Sequence, residues 1–254
     1  MKLGIFGDSY AETQKNTWGG DRDYPGWTEL LVETYQPELY ENHARGGTSA
    51  WWSYQKFLEH YKKFDHIIFV HSFRHRWPYL PDEFIGRHGD IGGSHNSMKP
   101  FKGINHMLFT DELSTFICKN IAHSIEKHCN EYGITLLHIF VENANEILDD
   151  TLKSPAIVNF SHPSFTELVT LKGKTYILAD KITGLDTPDF RTCHMSPKNN
   201  KIVANLIKKM YNENIKLMDF KNSVYFNMIA SDEVTDALYV KYTDKNGKFI
   251  GLRL

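Results

Sequence analysis

The chain has 254 residues and lacks any run of about 18 to 20 consecutive apolar residues, so no helical membrane span is expected. It also lacks a charged and then apolar leader, because the N-terminus runs straight into a strand-like segment. No export signal is therefore expected, and a cytoplasmic setting fits. Cysteine is scarce: Cys118, Cys129 and Cys193 make an odd count without metal-like spacing, which disfavours a disulfide framework and a zinc site. Neither sign of charge dominates, with 29 Lys and Arg against 31 Asp and Glu. Such a chain has no global field to hold nucleic acid or an anionic membrane, and neither is expected as a partner. There is no Walker-type or dinucleotide glycine motif, no internal repeat and no low-complexity segment, so no cofactor is expected.

What is present is enough apolar residue, 41%, to bury a sizeable core. Apolar runs suited to buried parallel strands ("KLGIF", "LYENHA", "HIIFVHS", "ITLLHIFVE") alternate with segments of helical period ("GWTELLVETY", "AWWSYQKFLEHYKKF" and Thr110 to Tyr132). That alternation is the pattern of an α/β domain with a parallel sheet. A last helix is predicted after Ser196 and Pro197, with Ile202, Val203, Leu206, Ile207 and Met210 on one apolar face. The stretch from Pro78 to His106 is too long and too rich in Gly, Pro, His and Asn for an ordinary connection, and reads as a lid or binding loop within an insertion over 72–108. Beyond about Phe220 short alternating runs around "TDKNGKF" suggest an appended β-hairpin over 220–254, after a main domain over 1–219.

Three places carry chemistry. In "FGDSY", Ser9 follows the first strand, where functional groups of open parallel sheets collect. It could act as a nucleophile whose own N–H helps to hold an oxyanion, or it could merely cap a turn. In "NHARGGTSAWW", Gly46 and Gly47 free the backbone to approach a ligand and donate an N–H, or simply make a tight turn. In "PDFRTCHMSPKNN", His194 stands just before the last helix with Asp186 and Asp189 upstream, placed to act as a base with a carboxylate orienting it, or to be a solvated loop histidine.

These three blocks, in this order, resemble the SGNH hydrolase superfamily, also called the GDSL-like esterases and lipases. The resemblance spans roughly Met1 to Asp219 and is most specific at its two ends. It implies a three-layer, flavodoxin-like α/β fold and a carboxylic ester hydrolase. By its pattern Ser9 is the nucleophile and first oxyanion donor, Gly46 the second donor with Gly47 as the alternative, and His194 the base. Trp27, Leu30 and Leu31 look like the family's apolar segment after the serine.

Two positions depart from the family. Its third block carries an oxyanion asparagine where "VHSFRHR" has Phe73, leaving Arg74, Ser72 or His71 as substitute donors. Three residues before His194 stands Arg191, so the orienter of the imidazole is either Asp189 or a backbone carbonyl. The cluster His71, Arg74, His75 and Arg76 could bind an acidic group of the substrate or be a solvated basic turn. Asp8, Gly47, Ser72, Arg74 and Arg76 are the expected substrate-binding residues. His88, His95 and His106 with Asp90 match no ligand spacing, so no metal is expected. The expected activity is hydrolysis of a small acyl ester, an acetyl ester on a carbohydrate first. A binding protein that has lost catalysis, or an acyltransferase using the same serine, are the alternatives.

Overall fold

The computed structural model describes residues 1–13, 25–46, 48–74, 110–141, 144, 146–158, 160, 168–171, 174–178, 197–220 and 228–230. In chain order the elements are β1 (Lys2–Phe6), α1 (Trp27–Tyr35), β2 (Leu39–Asn42), α2 (Ala50–His60) with a 3-10 turn (Tyr61–Lys63), and β3 (His66–His71). They continue with α3 (Asp111–Glu131), β4 (Thr135–Phe140), β5 (Ala156–Val158), β6 (Leu168–Leu171), β7 (Lys174–Leu178), α4 (Pro197–Glu213), β8 (Leu217–Asp219) and β9 (Met228–Ala230). Each of the four apolar runs read from the sequence is a strand.

Six strands form one all-parallel sheet in the order β2-β1-β3-β4-β5-β8. The chain moves outward from β1 to β2 and then returns to the other side of β1, so the order reverses between β1 and β3. That is the flavodoxin-like order, and the crevice at the carboxyl ends of these two strands is where such sheets hold ligands. The fold is α/β, as the alternation of runs implies.

Two faces follow from the period of two along each strand. Ile5, Ile68, Val70, Leu137 and Ile139 pack with Leu31 of α1 and with Val203, Ile207 and Met210 of α4. Phe6, Ile67, Phe69 and Leu136 pack with Phe57 of α2 and with Ile121 and Ile125 of α3. Because both faces are covered, the strands can be apolar throughout rather than alternating.

The helices begin where capping chemistry allows. Ser49 accepts from the Trp52 N–H at 3.2 Å to start α2, and Thr110 accepts from the Leu113 N–H at 3.2 Å to start α3. The α2 segment is shorter than its sequence period suggests, since the α-helix stops at His60 and gives way to the 3-10 turn. The apolar face expected on α4 is borne out: Val203, Ile207 and Met210 are buried, with Ile202 and Leu206 packed beside them.

A second, antiparallel sheet has the order β6-β7-β9. In it a strand from the expected C-terminal extension, β9, pairs with β7. The expected hairpin beyond residue 230 and nearly all of the 72–108 insertion lie outside the described residues. No described helix is long and apolar enough to cross a membrane.

Candidate active site

At the end of β1 the chain must turn sharply, and Gly7 makes this possible. Its φ is +155°, and a Cβ there would stand 2.7 Å from Val70 Cβ and 3.1 Å from the Val70 carbonyl oxygen. No other residue fits so close to β3. Asp8 follows, fully buried. Its carbonyl oxygen accepts from the N–H groups of Ala11 at 3.0 Å and Glu12 at 3.1 Å, closing one turn around Ser9. Its carboxylate accepts from the Tyr10 N–H at 3.0 Å and from the Ser72 hydroxyl at 2.8 Å. A buried carboxylate is held in place by such donors, because water is not there to solvate it. Ser9 itself is half-buried at the mouth of this turn.

The β2–α2 connection is laid against that turn. His43 N–H donates to the Ile5 carbonyl at 2.8 Å and Arg45 N–H to the Gly7 carbonyl at 3.1 Å, while the Asn42 side chain donates to the Ala11 carbonyl at 2.7 Å. These bonds bring Gly46 beside Ser9: a Cβ on Gly46 would lie 3.5 Å from Ser9 Cβ and 2.7 Å from Glu12 Oε2. Serine and glycine, 37 positions apart in the chain, thus meet across the crevice.

The third strand end is occupied differently from the family pattern. Ser72 can direct its one hydroxyl hydrogen to Asp8 Oδ2 at 2.8 Å or to the Thr48 carbonyl at 3.1 Å. Either way it ties β3 to the β1 turn. Phe73 packs its ring against Tyr10, with centroids 6.1 Å apart and planes at 64°. Arg74 donates to Glu146 Oε2 at 2.6 Å and to Thr115 Oγ1 at 3.0 Å, so its guanidinium lies toward the start of α3.

His71 turns to the opposite face of the sheet. There it stacks on Phe140 (4.3 Å, 8°), and its Nε2 lies 2.9 Å from Nδ1 of His138. Burial holds both imidazoles below the usual histidine range, that of His138 at about 3. Among the described residues, His71 Nδ1 and His138 Nε2 are buried without a hydrogen-bond partner.

The structure therefore brings Asp8, Ser9, Gly46 and Ser72 together and ties Arg74 to Glu146. His194, Asp189, Gly47 and Arg76 lie outside the described residues, as do Asp186, Arg191, His75 and the loop histidines. The first turns of α4 and α1 nevertheless reach the Ser9 turn. Asn200 Oδ1 accepts from the Trp27 N–H at 2.9 Å, and Trp27 Nε1 donates to the Tyr10 carbonyl at 2.7 Å. Glu12, Thr48 and Asn200 were not singled out in the sequence. The signal for Glu12 is its spacing of three from Ser9 within one turn. Among the described residues, a metal could be held by Glu41, His43 and His60, whose donor atoms all lie within 4.8 Å of one another.

No family model matches the chain. No curated protein matches it either. Among solved structures seven chains match. One is a point mutant of Axe2, an acetyl-xylooligosaccharide esterase from Geobacillus Stearmophilus, with a TM-score of 0.32 and 14% identity over 57% of this chain. The chain spans 63% of the length of that esterase. A likeness at this level carries no argument about activity.

Proposed function

We propose that the chain is a serine esterase of the SGNH type that hydrolyses a small acyl ester, with an acetyl group on a carbohydrate as the first substrate to try. The observation that carries this reading is the meeting of Ser9 and Gly46 at the carboxyl ends of β1 and β2, where a Gly46 Cβ would stand 3.5 Å from Ser9 Cβ. A nucleophile beside a backbone N–H of a residue without a side chain of its own is the arrangement acyl transfer needs.

In this mechanism His194 takes the proton from Ser9 Oγ as that oxygen attacks the ester carbonyl. The Ser9 and Gly46 N–H groups hold the oxyanion. As the intermediate collapses, His194 returns the proton to the leaving alcohol, and water, deprotonated by the same imidazole, then releases the acid from Ser9. His194 is assigned from the sequence, with Asp189 or a backbone carbonyl as its orienter. Its place three residues before α4 supports the assignment, because the bonds from Asn200 through Trp27 to Tyr10 hold the start of that helix beside the Ser9 turn.

A second reading is favoured by Phe73. An apolar ring stands where the family has its third oxyanion donor, while the Ser72 hydroxyl is engaged by Asp8 and the Arg74 guanidinium by Glu146. A binding protein that no longer turns over its ligand would have this look. Intact mass after treatment with a fluorophosphonate probe decides between them, with p-nitrophenyl acetate turnover as a second readout. The esterase reading expects one adduct per chain, absent in Ser9→Ala and much slowed in His194→Ala. A folded protein with neither adduct nor turnover would sink it in favour of binding.

A further inference from the structure

A second cluster lies on the α2 side of the sheet, apart from the Ser9 turn. Glu41 of β2 and His43 just beyond it share one face of the edge strand, since residues two apart in a strand point the same way. His60, the last residue of α2, closes over them. The His43 ring is sandwiched between Phe6 (5.1 Å, 12°) and His60 (4.1 Å, 8°), and its Nε2 lies 2.9 Å from Glu41 Oε2. The side chains keep only 18%, 29% and 28% of their surface exposed for His43, Glu41 and His60. Lys63 Nζ also reaches Glu41, at 3.0 Å.

We propose that Glu41, His43 and His60 form a binding site for a divalent first-row transition ion of the zinc type, closed by water. The donor set is two imidazoles and one carboxylate, the combination that suits such ions and leaves a position open. One donor atom from each residue already lies within 4.8 Å of the other two. A tetrahedral ion with bonds of about 2.0–2.1 Å needs donors roughly 3.3 Å apart, so closure takes a shift of order 1 Å.

The shift falls on His60. An ion lies in the plane of every imidazole that binds it, so two parallel rings cannot share one, and the His60 ring must tilt out of the stack. It stands where the α-helix gives way to the 3-10 turn, 28% exposed, with Glu59 Oε2 3.6 Å from its Nε2. His43 is fixed by the Phe6 ring and by its N–H bond to the Ile5 carbonyl at 2.8 Å. The ion takes the place of the proton that Glu41 and His43 now share, and Lys63, an exposed side chain, leaves the carboxylate.

Such an ion would pin the chain just after the edge strand, at His43 three residues before Gly46, to the end of α2. The test is titration of the full chain with CoCl2, read by its visible d–d bands, and with ZnCl2, read by calorimetry. Both are repeated on His60→Ala, His60→Gln and Glu41→Gln, with His123→Ala on α3 as the control. The expected result is one ion per chain with tetrahedral cobalt bands. Affinity should fall by at least about tenfold in each of the three cluster variants, given that losing even an outer-shell partner costs 10- to 100-fold, and should be unchanged in the control. Far-UV circular dichroism establishes that the variants are folded. No saturable binding, or binding that survives in all three folded cluster variants, would overturn the assignment and leave the Glu41–His43 bond as packing alone.

Discussion

His71 and His138 make the fold sensitive to acid, by an amount that can be worked out. Both rings are buried on the α3 side of the sheet, joined to each other at 2.9 Å, and neither has a carboxylate partner among the described residues. Desolvation is the main cause that holds them neutral, and the neighbouring imidazole adds to it for His71, as His123 does for His138. In the unfolded chain each ring titrates near the ordinary value of about 6.5. Below that pH the unfolded state binds protons that the native state refuses, so stability is complete above about 6.5 and declines as the pH falls. For His138 the decline continues to about 3. At pH 5 the loss is about 2 kcal/mol for His138, from about 1.5 pH units at about 1.4 kcal/mol per unit, and His71 adds to it in the same direction. The assay is urea unfolding at about pH 7.5 and about pH 5, comparing the native chain with the double variant His71→Leu/His138→Leu. Near pH 7.5 the variant should be as stable or more so, because two unpartnered buried nitrogens are gone with both rings. Its loss of stability on acidification should be smaller by at least about 2 kcal/mol. Equal losses in the two proteins would refute the reasoning, since the rings would then be protonated or solvated in the native state.

Gly7→Ala should destabilise by at least about 1–3 kcal/mol in thermal or urea unfolding, because its φ of +155° and the 2.7 Å approach to Val70 Cβ both exclude a side chain. Asp8→Asn should cost about 1.5–3 kcal/mol, the worth of hydrogen bonds to a charged acceptor, here those from Ser72 and Tyr10. Gly46→Ala should leave stability within about 1 kcal/mol, because the nearest atom is the movable end of Glu12, yet on the proposed reading lower kcat/KM toward p-nitrophenyl acetate by at least about tenfold, because the methyl and the displaced Glu12 carboxylate fill space beside Ser9. Phe57→Ala should cost about 3–5 kcal/mol, since the ring is fully buried among Phe6, Tyr61 and Phe69.

The long strands were legible because burial on both faces writes itself as continuous apolar runs such as "HIIFV", and α3 because Thr110 and Gly133 bracket its period. β5 and β8 were not. Each has only three residues, too few to show a period, and each holds its place by pairing with a neighbour: Ala156 opposite Leu217 and Val158 opposite Asp219. The α2 boundary was missed by a turn, since the apolar spacing continues through Tyr61 and Phe64 although the backbone tightens there. At the site, the Gly-Asp-Ser turn and the Gly46 segment were visible as motifs. What no spacing reveals is the pairing across strands: Ser72 reaching Asp8, Arg74 reaching Glu146, His71 reaching His138. Those contacts exist only once the sheet order is known.

The third strand end carries the tension between catalysis and binding. Losing one oxyanion donor costs about 10²–10³ in kcat, while enzymes accelerate their reactions by 10⁶-fold or more, so the proposed esterase would be slowed by the change but not abolished. What the fold keeps at this place is informative beside what it lacks. Asp8 is fully buried, and its carboxylate accepts from Tyr10 and Ser72, a costly feature when an apolar residue could fill the same space. Its effect is to lock the turn that presents Ser9 half-exposed between the ends of β1 and β3. A surface that merely bound a ligand gains little from such rigidity, whereas a nucleophile must be held to a fraction of an ångström before its geometry helps the reaction. The Phe73 ring on Tyr10 braces the same turn from its other side. On the proposed esterase reading, Phe73 therefore removes a donor and also stiffens the support of Ser9, so that some oxyanion stabilisation would be lost without the placement of the serine.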